Sequence, residues 1–97
     1  GGSGSDVFHL MSYATLVNSK TIIPGFELGA PNGSTGDIIE LPGDVSLYSM
    51  RASSLFNATE LVGPNGNTLI TIGVTGSPDT LMATMISQGN IIFYGMT

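Results

Sequence analysis

The sequence predicts an all-β protein, an antiparallel β-sandwich of jelly-roll type that carries one short α-helix. Short segments of β-branched and aromatic residues recur along the chain, and Gly, Pro, Asn and Asp separate them at intervals typical of strands joined by turns. One segment, at 77–89, has instead the spacing of an amphipathic helix. We expect one domain at 6–97 and an artificial Gly/Ser linker at 1–5.

The N-terminal third of the chain predicts two strands and a long loop. Residues 6–17 are rich in β-branched and aromatic types but do not alternate cleanly, so they indicate a strand with an irregular or bulged stretch. A helix over the same residues is the alternative. Thr21–Ile23 is a short strand that Pro24 and Gly25 end. The density of Gly and Pro up to Gly36 predicts a loop.

The middle of the chain predicts two further strands, at 37–41 and 45–52. Between them stands Pro42-Gly43-Asp44, a strong turn signal because each residue type favours a turn backbone. In the second strand Val45 and Leu47 fall on one face, and the apolar side chains that follow fall on the other. We therefore expect this strand to be covered on both faces.

The clearest local pattern is a β-hairpin. The strand Thr59–Val62 precedes Gly63-Pro64-Asn65-Gly66, and a second strand follows at 67–74, where Ile70 and Ile72 alternate with smaller residues. Proline presets the backbone at the second turn position, and Gly66 can adopt the left-handed conformation that reverses the chain.

Ser77-Pro78-Asp79 indicates the start of a helix. Serine can cap the first turn, proline fits the first helical position, and aspartate suits the positive end of the helix dipole. The apolar residues that share one face are Leu81, Met82, Met85 and Ile86. Gly89 predicts the end of the helix, and 90–96 is a final strand.

Charged residues are unusually scarce. They make up 9% of the chain, against about 25% in ordinary soluble domains, while hydrophobic residues make up 41%. The longest apolar run, at 91–94, is far shorter than the roughly 18 residues of a membrane span, so we expect no membrane insertion. A surface of uncharged polar residues and apolar surface covered by other copies together explain this composition. We therefore expect a homo-oligomer.

The charge and residue types also exclude several classes of function. The net charge is −5, with only two Lys or Arg residues, so the cationic cluster that nucleic-acid binding requires is missing. The chain has no cysteine, which excludes disulfides and cysteine-based metal sites. His9 is the only histidine, and no serine stands in a Gly-x-Ser-x-Gly motif, so we interpret His9 as a surface or interface residue. We predict no enzyme activity, no metal site and no cofactor.

Aromatic and amide side chains are the candidates for ligand binding. Aromatic rings stack on the apolar faces of sugars, and Asn side chains form neutral hydrogen bonds to hydroxyls. The candidates are Tyr13, Tyr48, Asn32 and Asn65. The alternative is that these rings, like those of Phe26, Phe56 and Tyr94, pack in the core or in a subunit interface.

One segment carries a resemblance. At 68–83 an apolar strand that ends in Gly73 leads through a turn of small residues to Pro78-Asp79 and an apolar helix. This arrangement is similar to β-sandwich modules of tailed-phage virion proteins, such as fibre, tail or head-spike components. Those modules also have an upstream strand at the spacing of 45–52. The resemblance covers roughly a third of the chain. It implies a homotrimer that either decorates a virion, which is an extracellular particle, or contacts a host surface. The resemblance assigns no binding residue.

The sequence therefore predicts a virion structural module, the terminal or decorating domain of a phage fibre or spike. Its partners would be two further copies, other virion proteins and a host-surface glycan or polymer. Two alternatives remain open: a purely structural decoration or assembly protein, and a cellular carbohydrate-binding module attached to an enzyme.

Overall fold

The computed structural model describes residues 7–9, 21–29, 36–55 and 57–95. The remainder of the predicted 6–17 strand, the central part of the long loop and Phe56 lie outside the described residues. The elements in chain order are β1 (Val7–His9), β2 (Thr21–Ile23), β3 (Ile38–Pro42), a 3₁₀ turn (Val45–Leu47), β4 (Ser49–Ala52), β5 (Thr59–Val62), β6 (Thr68–Ile72), α1 (Pro78–Ser87) and β7 (Ile91–Tyr94).

The described strands form two sheets, so the fold is predominantly β, as the sequence predicted. The first sheet has the order β1-β3-β7, and both of its strand pairs are parallel. The second has the order β2-β6-β5-β4, with β2 parallel to β6 and the other pairs antiparallel. The prediction of a purely antiparallel arrangement is therefore wrong.

The reason lies in the path of the chain. From β1 to β4 the chain alternates between the two sheets, and it returns to the first sheet after α1. Neighbouring strands of the first sheet are thus joined through long crossover connections, which allow parallel pairing. Turn residues in the sequence mark where a strand ends, but they do not show which sheet the chain enters next.

The β5–β6 hairpin is confirmed. Gly66 donates its N–H to the carbonyl oxygen of Gly63 at 3.1 Å and has a φ of +78°, which glycine adopts without strain. Gly63 in turn donates to the carbonyl oxygen of Asn67 at 3.0 Å. The strand β6 lies between two neighbours and is buried from residue 69 to residue 72.

The predicted strand at 45–52 is shorter than expected. Its first part is the 3₁₀ turn, because the carboxylate of Asp44 accepts the N–H of Ser46 at 2.7 Å and caps the turn. Tyr48 then donates its N–H to the carbonyl oxygen of Val45. Within β4 only Met50 is buried. The chain's own core therefore covers one face of this segment, and cover of the other face by a neighbouring molecule stays a prediction.

The helix α1 lies where the sequence places it. Pro78 is its first residue, and Asp79 stands in the first turn. Ser77 occupies the capping position, but its side chain makes no capping hydrogen bond. The chain leaves the helix at Gly89, which has a φ of +80°. Leu81 and Met85 are the buried residues of the helix, which contacts β4 and β7 and so lies against both sheets.

Both sheets and the helix contribute to one hydrophobic core. The fully buried apolar side chains are Ile39, Leu41, Leu61, Ile72 and Met85, each with 0% exposure. Aromatic contacts connect separate elements around them. The rings of Tyr48 and Phe93 lie 5.8 Å apart, and those of Phe8 and Phe26 lie 6.5 Å apart.

A polar hub lies beside this core, formed by Glu27, Asp37 and Asn90. Glu27 donates its N–H to the Asp37 carboxylate at 2.9 Å, and Asp37 donates its own N–H to the Glu27 carbonyl oxygen at 2.8 Å. The Asn90 side chain donates to the Asp37 carbonyl oxygen at 2.7 Å and accepts the N–H of Gly29 at 3.2 Å. Asp37 and Asn90 are both fully buried. The hub therefore fastens the 26–29 loop to the junction between α1 and β7.

The substitution Asn90→Ala tests the hub. We expect it to lower the free energy of unfolding by about 2–4 kcal/mol, because it leaves buried backbone groups without partners and opens a small cavity. Chemical denaturation followed by circular dichroism measures the change. The control is Asn67→Ala, which removes an exposed amide and should change stability by less than about 0.5 kcal/mol. Equal effects of the two substitutions would contradict the role given to the hub.

Candidate functional site

The outer face of the first sheet is the main candidate interaction surface. Strand register places one set of side chains on this face, away from the core: Val7, His9, Ile38, Glu40, Ile92 and Tyr94. The alternate residues, such as Ile39 and Ile91, are buried. Val7 is 58% exposed and Ile92 is 41% exposed, so the face is partly apolar and open.

A histidine–carboxylate pair lies on this outer face. His9 and Glu40 are register partners, and their Nδ1 and Oε1 atoms lie 2.9 Å apart. The imidazole also stacks on the ring of Tyr94, with a centroid distance of 4.6 Å and an angle of 20° between the planes. The carboxylate and the phenol ring together hold the imidazole flat against the sheet. Such a pair can orient a histidine for proton transfer or hold it as part of a packed surface.

The parallel pairing of this sheet makes its open face unusual. Parallel sheets are generally covered on both faces. Here one face packs on the core, whereas the other exposes Val7 and Ile92. Val7 and Ile92 lie on the two outer strands of this face, with Ile38 of β3 opposite Val7, and an open, partly apolar face of this kind is a candidate contact with another molecule.

The described residues also line surface depressions, two of which are large enough to consider. One, of about 320 Å³, lies between α1 and the start of β4, and its lining includes Val45, Tyr48, Met82 and Asp79. The other, of about 420 Å³, lies between β2, β6 and the loop that joins β4 to β5. Both volumes fall within the range of small-molecule sites.

The second sheet carries a charged network beside the larger depression. Arg51 donates from Nε to Glu60 Oε1 at 2.8 Å and from Nη2 to Thr68 Oγ1 at 2.7 Å. Thr68 donates its hydroxyl to the same Glu60 oxygen at 3.0 Å. The hydrogen bond from Arg51 lowers the pKa of Glu60 below its ordinary value of 4.5, the bond from Thr68 adds to this effect, and partial burial opposes it.

Of the four predicted ligand-binding residues, the structure describes two. Tyr13 and Asn32 lie outside the described residues. Tyr48 is 7% exposed, and its hydroxyl donates to the carbonyl oxygen of Pro42. Asn65 lies exposed in the β5–β6 turn. Among the described residues, Tyr48 and Asn65 thus do not form one binding surface, since one ring packs in the core and the other side chain faces solvent.

Sequence reasoning missed the outer face of the first sheet. Val7, Glu40 and Ile92 belong to three strands that are far apart in the sequence, and no local pattern shows that these strands are neighbours. The available signal is weak. The sequence indicates a surface or interface position for His9, but it does not identify the partner strands.

Within the described ranges, no group of three or more His, Asp or Glu side chains is arranged to hold a metal ion. No helix in that part of the chain has the length and apolar character needed to cross a membrane.

Comparisons with protein-family models, with curated proteins and with solved structures found no match to this chain.

The Arg51–Glu60 network makes a pH-dependent contribution to stability. Because the folded pKa of Glu60 lies below the unfolded one, this contribution is present above about pH 4.5 and is lost as the pH falls through the lowered value. We expect Glu60→Gln to be less stable than wild type by about 0.5–1 kcal/mol at pH 7, as for an exposed ion pair.

This stability difference should shrink as the pH falls toward 3. Thermal unfolding of both proteins between pH 7 and pH 3 measures it. Arg51→Gln is the matched control, because it removes the other member of the pair and should abolish the same pH dependence. A constant difference between wild type and Glu60→Gln at every pH would contradict the assignment.

Proposed function

We propose that this chain is a non-catalytic structural module that assembles with copies of itself through the outer face of the first sheet. One observation carries the proposal. An all-parallel sheet leaves Val7 and Ile92 exposed on a face whose only carboxylate in the described strands, Glu40, is already bonded to His9.

The overall composition favours a second copy as the occupant of this face. The chain has seven acidic and two basic residues, so few charges are present to solvate its surface. The charged groups of a highly charged partner would lose their hydration on the apolar face without gaining counter-ions. Another copy of the same face contributes apolar side chains and a carboxylate, Glu40, that already has a hydrogen-bond partner.

The size of the face sets a condition on the assembly. Three strands and up to five residues per strand cover roughly 15 by 17 Å, or about 250 Å². A standard interface buries about 800 Å² on each partner. The contact therefore extends beyond the face. The number of copies, three, is proposed from the resemblance of 68–83 to modules that trimerise.

The wider assignment rests on the resemblance of 68–83 to tailed-phage virion modules. On that basis we propose a jelly-roll-like sandwich that forms the terminal or decorating domain of a fibre or spike on the virion. Its task would be attachment to a host-surface glycan or polymer. Three weak sites on one trimer bind together, which raises the overall affinity without strong individual contacts.

The histidine on the outer face fits a packing role in this proposal. The Glu40 carboxylate and the Tyr94 ring hold the His9 imidazole against the sheet, and a ring held in this way gives a neighbouring chain a fixed surface to pack on. The proposal therefore assigns no catalytic step to His9.

The oligomeric state tests the proposed assembly. We expect light scattering to give three times the 10.0 kDa chain mass for the wild type. Ile92→Lys should give monomers, since it places a charge in the contact. The control is Val45→Lys, which changes an exposed apolar side chain of the 3₁₀ turn and should leave the trimer intact. A wild-type protein that stays at the single-chain mass at high concentration would refute the proposal.

A glycan array tests the proposed attachment. We expect specific binding by the trimer, and a loss of about 100-fold in apparent affinity for the monomeric Ile92→Lys variant, because the multivalent gain is removed. Tyr13→Ala and Asn65→Ala should weaken binding if the loop candidates contact the glycan. An array without signal for trimeric protein would favour the purely structural alternative.

A further inference from the structure

The larger depression, between β2, β6 and the β4–β5 loop, has the features of a small-ligand site. Its lining is Ile22, Pro24, Leu55, Asn57, Ala58, Thr71 and Gly73. We propose that it binds an acetamido group, a neutral amide that carries a methyl. This inference names the ligand chemistry for the attachment in the proposed function and rests on that function.

Thr71 supplies the first reason. Its side chain lines the depression although the residue is only 9% exposed. Buried hydroxyl groups in folded proteins almost always have a hydrogen-bond partner. Within the part of the chain that the structure describes, the Thr71 hydroxyl has none. A ligand that donates or accepts a hydrogen bond at this point therefore satisfies a group that the fold leaves unsatisfied.

The remainder of the lining selects a neutral ligand. None of its residues is charged, and in the part of the chain that the structure describes, Glu60 beside Thr71 is bonded to Arg51. A charged ligand would lose its hydration without gaining a counter-ion. The aliphatic side chains of Ile22 and Leu55, which are 57% and 51% exposed, instead provide contacts for a methyl group.

The depression is formed before any ligand binds. The N–H of Ser53 bonds to the carbonyl oxygen of Ala58 at 3.2 Å and closes the loop that carries Leu55 and Asn57. Opposite the loop, the backbones of β2 and β6 approach closely, since a Cβ on Gly73 would lie 2.0 Å from the Pro24 carbonyl oxygen. A preformed site binds without the cost of ordering its walls.

Asn57 provides the second polar group. Its φ is +59°, a left-handed conformation that asparagine tolerates better than most residues. Its exposed side-chain amide can both donate and accept, which matches the N–H and carbonyl of an acetamido group. Because glycine adopts positive φ freely, Asn57→Gly removes this amide while it keeps the loop conformation.

The test is a titration followed by NMR of the backbone amides, with N-acetylglucosamine as the probe. We expect saturable shifts at Thr71 and Asn57, with a Kd of about 1–10 mM, as suits a single weak contact. Glucose, without the acetamido group, and glucosamine, which is charged, should give no saturable shift. A parallel titration uses N-acetyllysine, which carries the same acetamido group on an amino acid and not on a sugar. Equal affinity for the two compounds would mean that the depression recognises the acetamido group alone.

Two variants make the test specific. Thr71→Val keeps the shape of the side chain and should leave stability unchanged or higher, yet weaken N-acetylglucosamine binding by about 3- to 10-fold, the range for one neutral hydrogen bond. Asn57→Gly should weaken it similarly. Thr80→Val, on the exposed face of α1, is the matched control and should bind as wild type does.

The absence of saturable shifts, equal binding of glucose, or unchanged binding in both pocket variants would overturn the proposal. These failures are distinct from failure of the proposed function. If Thr71→Val leaves glycan binding on an array unchanged, the assignment of the ligand to this depression is wrong, and the proposed attachment stands. Saturable acetamido binding by a monomeric chain would support the pocket and remove the trimeric module.

Discussion

The fold depends on the buried polar hub of Glu27, Asp37 and Asn90. A carboxylate and an amide at the centre of a small protein are costly unless their hydrogen bonds are made. Here those bonds join three separate parts of the chain: the loop after β2, the start of β3 and the turn between α1 and β7. The hub thereby sets where β3 and β7 begin, and the Asn90 carbonyl oxygen accepts the N–H of Ile39 at 2.7 Å to start their pairing.

Gly36 is part of the same constraint. It has a φ of +78°, and a Cβ at this position would lie 2.4 Å from the Glu27 carbonyl oxygen. Only glycine lets the two backbones approach closely enough for the reciprocal bonds between Glu27 and Asp37. The sequence predicts a loop at this glycine. In the structure, the glycine lets the loop backbone come close enough to bond to the buried Asp37 carboxylate.

Local elements of this protein follow from local sequence, and long-range pairing does not. The β5–β6 hairpin and α1 are recognisable because Pro64, Gly66 and Pro78 each act on their own neighbours. The 3₁₀ turn was missed because the Asp44 cap competes with a strand pattern that the apolar residues at 45–52 also satisfy. Parallel pairing was missed because crossover connections leave no periodic signal.

The candidate binding surfaces likewise depend on long-range packing, which the local sequence does not show. Tyr48 has the residue type of a sugar-binding ring, but its burial against Phe93 depends on how the sheets pack, which composition does not determine. The outer face formed by β1, β3 and β7 depends on the neighbours of each strand. Asn57 and Thr71 line one depression because a loop and a central strand meet there, and neither stood out as a binding residue in the sequence.

The alternation of the chain between its two sheets has a consequence for how the protein folds. The first sheet contains both the earliest and the latest described strands, so no continuous piece of the chain can build it. Loop closure over such distances is entropically expensive, and folds with many distant pairings form slowly. During synthesis, β3 can pair with β1, but its other edge has no partner until β7 has left the ribosome. A nascent chain in that state exposes β3 as an unpaired strand edge, which makes the time before completion the period in which it is most prone to aggregate.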